Sequence, residues 1–374
     1  MNGVGLVHDY LLVLRGAERT FAAMADCFPR APIHTTLYSA RGTQGRFAGH
    51  PVHTSNLQHL GIRQRGFRAL LPFFPAAVER LAVQDHDVVV SSSSAFAHGV
   101  RPRQGAAHVC FCHSPFRYVW HERELALTEA PPTLRPMLTR TLDRIRAWDV
   151  EAAGRVTVYL AGSELVRRRI GDYYGRESTV LHPPVETRRF TPAEPEDFFL
   201  TVGEVVRHKR VDVAIEAARR AGRRIKVVGT GPELPRLRAR HGDHVEFLGR
   251  LSDEELADLM PRAQALVVAN VEEFGIAAVE AQAAGRPVLA VDAGGVRETV
   301  IDGVTGVRVP TGTVDEFAQA MRDVPFGAFD RDAIVRNAAR FDVTRFRARL
   351  IDVVAAARGD RAVPVAEPIS EVAA

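Results

Sequence analysis

Glu272 and Glu280 stand with seven residues between them in VEEFGIAAVEAQ, Gly275 among those seven. The run ALVVAN before Glu272 reads as a buried strand, Gly275 permits a tight turn, and a helix then carries Glu280 one turn inside. Open parallel sheets bind ligands outside the carboxyl ends of their strands, so this loop and helix start are placed to meet one. A carboxylate accepts hydrogen bonds at two oxygens in a fixed fork, which suits a pair of neighbouring hydroxyls. Backbone N–H groups near Gly275 and Ile276 are donors for a phosphate. An ordinary surface carboxylate near a helix N-terminus is the alternative for Glu272 taken alone. The whole pattern speaks against it.

Of 49 basic residues only Lys209 and Lys226 are lysine. A compact ammonium is a point charge that arginine's planar fork does not copy, so each lysine draws attention. Lys226 starts an apparent strand and reads as structural. Lys209 lies in a loop after the strand-like FFLTV, beyond Gly203. His113 follows the apolar run that ends in CFC; an imidazole there either bonds a ligand or fills a loop. The same run offers sulfur ligands at Cys110 and Cys112, but they alternate along one strand and no second cluster exists, so zinc is not expected. Asp85-His86-Asp87 has the D-x-D look of a metal site, yet it directly precedes VVVSSSS and reads as a strand entry. No metal site is expected.

Two units with the same grammar are needed to position these residues. The chain has 374 residues, enough for about two domains. Its first half opens with a strand, Val4 to His8, a turn at Gly16 and a helix carrying Ala17, Phe21, Met24 and Phe28. Its second half repeats strand, glycine loop and helix in FFLTVGEVV and VDVAIEAARRAG, then adds IKVVGTG, a helix capped by Ser252 with Glu255, and ALVVAN. Such alternation implies parallel, doubly wound sheets. Residues 182–197, rich in proline and acidic side chains, read as the linker. A net charge of +4 is too dilute for nucleic acid. Cys27, Cys110 and Cys112 cannot close a disulfide framework, so a reducing compartment is expected. The opening MNGVGLVHDYLL lacks the basic start and long apolar run of a secretory signal, and no stretch approaches the roughly 20 apolar residues of a membrane span. A cytoplasmic protein is the expectation.

The Glu272 to Glu280 spacing, with Phe274 and Gly275 inside it and AQAAGRPVLA and AGG after it, resembles the E-x7-E signature of retaining glycosyltransferases of family 4. Further blocks that look like this family run along most of the chain, among them DYLLVLRGAER, SSSSAFAHGV, CHSPFRYVWHE, RAWD, VGEVVRHKRVDVAIEA and VVGTGPELPRL. Among its branches the bacterial mannosyltransferases of polysaccharide assembly look most similar. The resemblance implies the GT-B fold: two Rossmann-like domains facing a deep cleft, residues 1–182 for the acceptor and 183–340 for the nucleotide-sugar. A helix over 341–359 would cross back to the first domain and 360–374 would form a loose tail. It implies roles as well. Glu280 accepts the ribose hydroxyls, Glu272 meets the transferred sugar, Lys209 sits on the donor diphosphate, and His113 lies near the reacting sugar. Gly16, Gly231, Phe274, Gly275 and Ile276 line the donor site. The departing diphosphate itself takes the acceptor's proton, so no protein nucleophile, metal or cofactor is implied. The donor would be GDP-mannose first, with UDP-sugars open, and the acceptor a polysaccharide or lipid-linked saccharide.

Two positions depart from the family pattern. The first of two usual glycines before Ala17-Glu18 is Arg15, and the usual arginine after Gly203 is Glu204. A carboxylate facing a diphosphate is repulsive. Arg15 is expected to supply the cation that Glu204 removes, pairing with it when the cleft is empty; Arg207 and Arg210 are alternative substitutes. The opposing reading is a binding partner that holds nucleotide-sugar without transferring it. The alternating architecture also suggests a nicotinamide-dependent oxidoreductase, and the sequence speaks against it, since no G-x-G-x-x-G opens either half and VGTGP lacks the last glycine and the acidic partner. Residues 63–74, RQRGFRALLPFF, mix three arginines with apolar side chains, and two readings stand: peripheral contact with the inner face of the cell membrane, or a partly buried loop and helix. Trp120 and Trp148 are expected in the core.

Overall fold

A computed structural model of the chain describes residues 3–61 and 66–359. Among them, the residues up to His182 and from Phe346 on group into one compact unit, and Pro183–Arg345 form a second. In the first, β1 (Val4–His8), β2 (Ile33–Thr35), β3 (Val52–Thr54), β4 (Val88–Ser93), β5 (Ala107–Cys112), β6 (Val158–Ala161) and β7 (Thr179–Val180) make one sheet in the order β3-β2-β1-β4-β5-β6-β7. In the second, β8 (Phe199–Val202), β9 (Ile225–Val228), β10 (Val245–Gly249), β11 (Leu266–Val268), β12 (Val288–Val291) and β13 (Gly306–Val309) run in the order β10-β9-β8-β11-β12-β13. All these pairings are parallel. Each unit is a Rossmann-like doubly wound sheet.

Period-two burial explains the second sheet. Leu200, Val268 and Ala290 pack on one face with Ala278 and Val279 of the helix Ile276–Ala283. Phe199, Val227, Val267 and Leu289 pack on the other with Ala214 and Ile215 of the helix Val211–Ala221. A strand buried on both faces has to read as a continuous apolar run, and these do. Local signals agree with the elements: the Ser252 and Glu255 capping box starts the helix Asp253–Leu259, and Gly222 ends Val211–Ala221 in a left-handed conformation.

The proline-rich segment read as a linker is instead part of the second unit from Pro183 on. Val185 and Phe190 are buried in its core beside Phe274 and Phe341. The last helix, Val343–Ala357, belongs from Phe346 on to the first unit. There Phe346 meets Phe111 edge-on, and Arg347 ion-pairs with Asp26 at 2.5 Å. Residues 360–374, and Arg63 and Arg65 of the basic segment, lie outside the described residues.

Several histidines of the first unit are buried and uncharged. His108 accepts or shares a hydrogen bond with Ser91 Oγ at 2.8 Å, and burial, with the nearby His98, pushes its pKa down to about 3. The unfolded chain binds a proton there below its ordinary 6.5 while the folded one does not, so this histidine subtracts stability as pH falls through that window. Replacing it with glutamine removes the effect. The stability of the parent relative to His108→Gln is expected to drop by about 2 kcal/mol from pH 7 to pH 5, read by urea unfolding at the two pH values. An unchanged difference would show that His108 charges in the folded state.

Candidate functional site

In a doubly wound sheet the strand order reverses at one point, and the crevice there is the natural ligand site. In the second unit that point lies between β8 and β11. Lys209, in the short helical turn Arg207–Lys209 after β8, meets Glu272, in the loop after β11. Its Nζ donates to both carboxylate oxygens, at 2.7 and 2.8 Å. Asn270 Nδ2 adds a bond to Glu272 Oε1 at 3.1 Å. The ammonium keeps 28% and the carboxylate 21% of its side-chain surface, so both remain accessible to a ligand.

Backbone geometry sets Glu272 in place. Its carbonyl accepts from Gly295 N at 2.8 Å, and it bridges to Gly294. A Cβ on Gly294 would lie 2.3 Å from the Glu272 carbonyl oxygen, and Gly294 has φ +70°, so only glycine fits. Gly275, at φ +92°, then turns the chain into the helix Ile276–Ala283. Phe274 anchors the turn in the core, edge-on to Phe341. Below, Gln282 donates to Ala278 O and Thr299 O, and Asn337 donates to Gln282 and Thr299 O. A buried amide network with its donors satisfied fixes the helix that presents Glu280.

Glu280 pairs at 2.8 Å with Arg189, whose guanidinium also lies 3.6 Å from Asp253 and over the Phe190 ring. Sequence reasoning missed Arg189 because the segment looked like a linker; RRF beside the prolines was the available signal. Glu204 sits half-buried in the loop after β8, and Gly231 lies in the loop after β9, where a Cβ would come 2.2 Å from the Val205 carbonyl oxygen. Arg210, an alternative source of the cation that Glu204 removes, is engaged elsewhere. It adopts a left-handed backbone, φ +50°, and its guanidinium bonds the carbonyls of Ala269 and Gly312 at 3.3 and 2.9 Å. Arg207 is exposed beside Asp212 and Glu233 in a surface hollow.

The first unit reverses between β1 and β4. His113, just after β5, places Nε2 2.8 Å from Ser92 Oγ, and Ser92 lies 3.1 Å from His8 Nδ1. The buried Asp9 carboxylate accepts three backbone N–H bonds, from Ser94, Phe96 and Ala97, at 2.6 to 2.8 Å. Burial raises the Asp9 pKa, and the three donors oppose that rise. Arg15 is the exposed residue before the helix Gly16–Asp26, and its N–H donates to the buried Glu18 at 3.0 Å. Burial lifts Glu18 to about 7. His8, Asp9, Ser92 and Glu18 were not singled out from sequence.

Other candidates are structural. His86 bonds His34 at 3.0 Å and Asp87 pairs with Arg103, while no group of three or more metal-ligating side chains is placed to hold an ion among the described residues. Trp120 stacks on Tyr173 at 4.4 Å and donates to the buried Asp149; Trp148 donates to Glu79. Phe73 is exposed next to the buried Phe74, and no helix among the described residues is long and apolar enough to cross a membrane.

Residues 185–340 match the family described as glycosyl transferases group 1, and residues 14–189 match glycosyltransferase family 4. A D-inositol 3-phosphate glycosyltransferase of Geodermatophilus obscurus is 36% identical over 192 residues, 42% of this chain and 43% of the relative. A GDP-mannose-dependent monoacylated alpha-(1-6)-phosphatidylinositol monomannoside mannosyltransferase of Corynebacterium glutamicum is 31% identical over 42% of this chain and 50% of its own length. The chain thus spans about half the length of the curated relatives it matches. Among solved structures, HepE of Anabaena in complex with UDP and glucose superposes with a TM-score of 0.70 over 94% of this chain and 99% of HepE, at 18% identity. That likeness is one of fold.

Proposed function

Because the chain belongs to glycosyltransferase family 4, with the GT-B fold, we propose that it transfers a hexose from a nucleotide-sugar to a saccharide hydroxyl. The observation that carries this reading is the Lys209 and Glu272 pair at the strand reversal of the second unit, with Glu280 one helical turn beyond. Lys209 exchanges its carboxylate partner for the donor diphosphate, which frees Glu272 for the sugar hydroxyls. Glu280, held by Arg189, takes the ribose hydroxyls. The bond from the anomeric carbon to the diphosphate breaks as the ammonium stabilises the growing charge. The acceptor oxygen attacks the same face, and its proton passes to the leaving phosphate oxygen, which retains the anomeric configuration without a metal.

Mannose from GDP-mannose is the favoured donor, supported by the sequence blocks and by the relative named for it. A polysaccharide or lipid-linked saccharide is the favoured acceptor, reached at the inner face of the cell membrane. The binding-only alternative is not favoured, because both halves match glycosyltransferase families and the lysine and both carboxylates are retained.

Titration calorimetry with GDP and UDP tests the nucleotide assignment. Glu280→Gln is expected to weaken the preferred nucleotide about 10-fold, the loss of one charge-assisted bond. Unchanged affinity in Glu280→Gln contradicts the ribose role.

A further inference from the structure

The Glu272 carboxylate has two donors among the described residues, and they are held very differently. Lys209 Nζ reaches both of its oxygens, at 2.7 and 2.8 Å, from the end of a flexible stem with 28% of its side-chain surface exposed. Asn270 Nδ2 reaches Oε1 alone, at 3.1 Å, and Asn270 is 6% exposed.

The Asn270 amide has one orientation open to it. Nδ2 also donates to the Val271 carbonyl at 3.2 Å, so both of its protons are spent on acceptors. Turned over, the amide would set its own oxygen against the same two oxygens. The backbone on either side is pinned as well. Arg210 Nη1 donates to Ala269 O at 3.3 Å, and Gly295 N donates to Glu272 O at 2.8 Å. One partner of the carboxylate is therefore free to swing towards an anion, and the other is not.

We propose that Asn270 is a positioning residue, which holds the Glu272 carboxylate in place once Lys209 has turned to the donor diphosphate. The lysine's exchange and the use made of Glu272 rest on the function proposed above; the hold itself does not. A departing lysine removes the bond at Oε2 and one of the two at Oε1. Without another partner, the rotatable bonds of a glutamate spread its carboxylate over many orientations. Asn270 keeps one of them, so Oε2 stands ready for the transferred sugar and no reorganisation is needed when the sugar arrives.

Crystal structures of Lys209→Ala, alone and combined with Asn270→Ala, read the hold without any substrate. In the single variant Glu272 Oε1 is expected to stay hydrogen-bonded to Asn270 Nδ2. In the double variant the carboxylate is expected to spread over several orientations. A carboxylate that leaves Asn270 in the single variant, or that keeps its place in the double one, overturns the hold. Hydrolysis of GDP-mannose or UDP-glucose at pH 8 reads its use. Asn270→Ala is expected to lower kcat about 10-fold with little change in KM, the loss of one hydrogen bond to a charged group that orients rather than binds. Asn270→Asp keeps the shape of the side chain but has no proton to donate, and is expected to fall at least as far; it also serves if Asn270→Ala does not fold. A near-parental kcat in either variant overturns the positioning role and leaves the transferase reading standing. Hydrolysis absent from the parent, with the crystal structures as expected, refutes the transferase reading and leaves the hold standing.

Discussion

Lys209→Ala is expected to lower turnover by about 10²- to 10³-fold, the usual cost of removing one preorganised charge that stabilises a departing anion. Its effect on stability is small. The Lys209 and Glu272 pair keeps 28% and 21% of its side-chain surface, and such partly exposed pairs contribute little. Asn270 still bonds Glu272 after the lysine is gone. Lys226 cannot take over, since it pairs with Glu246 at 3.2 Å and lies over Phe198. Arg210 is bound to two carbonyls. Lys209→Arg is expected to recover only part of the loss, because a planar fork does not reproduce a point charge at the end of a flexible stem. Donor hydrolysis rates set beside melting curves check both halves; near-parental turnover with a lowered melting temperature would make Lys209 a structural residue.

Asp9→Ala is expected to be the most destabilising of these substitutions. The carboxylate gathers the N–H groups of Ser94, Phe96 and Ala97 where the chain leaves β4, and the side chain is 2% exposed. Truncation strands two buried donors, Phe96 and Ala97, and a half-buried one, Ser94, which at 1 to 3 kcal/mol for each buried donor and less for the third amounts to a loss of about 4 kcal/mol. Part of the cost is offset because a buried charge disappears with its bonds. Asp9→Asn keeps the two bonds at Oδ1 and sets an N–H₂ group against Ser94 N–H, so about half the loss is expected. Urea unfolding monitored in the first unit reads it. A change below about 1 kcal/mol in Asp9→Ala would mean that the loop after β4 finds water or other acceptors.

These two residues also mark what was legible in the sequence. Lys209, Glu272, Gly275 and Glu280 were readable because glycines, a strand and a helix start fall at fixed offsets within one stretch, and because lysine is rare in this chain. The alternating elements gave the doubly wound class for the same reason. Asp9 and His8 were not readable. Their partners lie 84 to 88 positions away in sequence and meet them through the register of β1 with β4, a long-range pairing that no local pattern encodes. Arg189 was hidden differently. Prolines and charges around it have the composition of a linker, but Val185 and Phe190 on either side are core residues of the second unit. Arg210 looked like a spare cation until its left-handed backbone turned it toward carbonyl acceptors.

The central claim is that the second unit's lysine and carboxylate pair receives a nucleotide-sugar for group transfer. The most direct measurement is released nucleoside diphosphate from purified protein given GDP-mannose, UDP-glucose or UDP-N-acetylglucosamine, with Glu272→Ala in parallel. Slow hydrolysis of one donor, GDP-mannose first, is expected, with its loss in Glu272→Ala. Release that is absent with all donors, or equal in parent and variant, would contradict it.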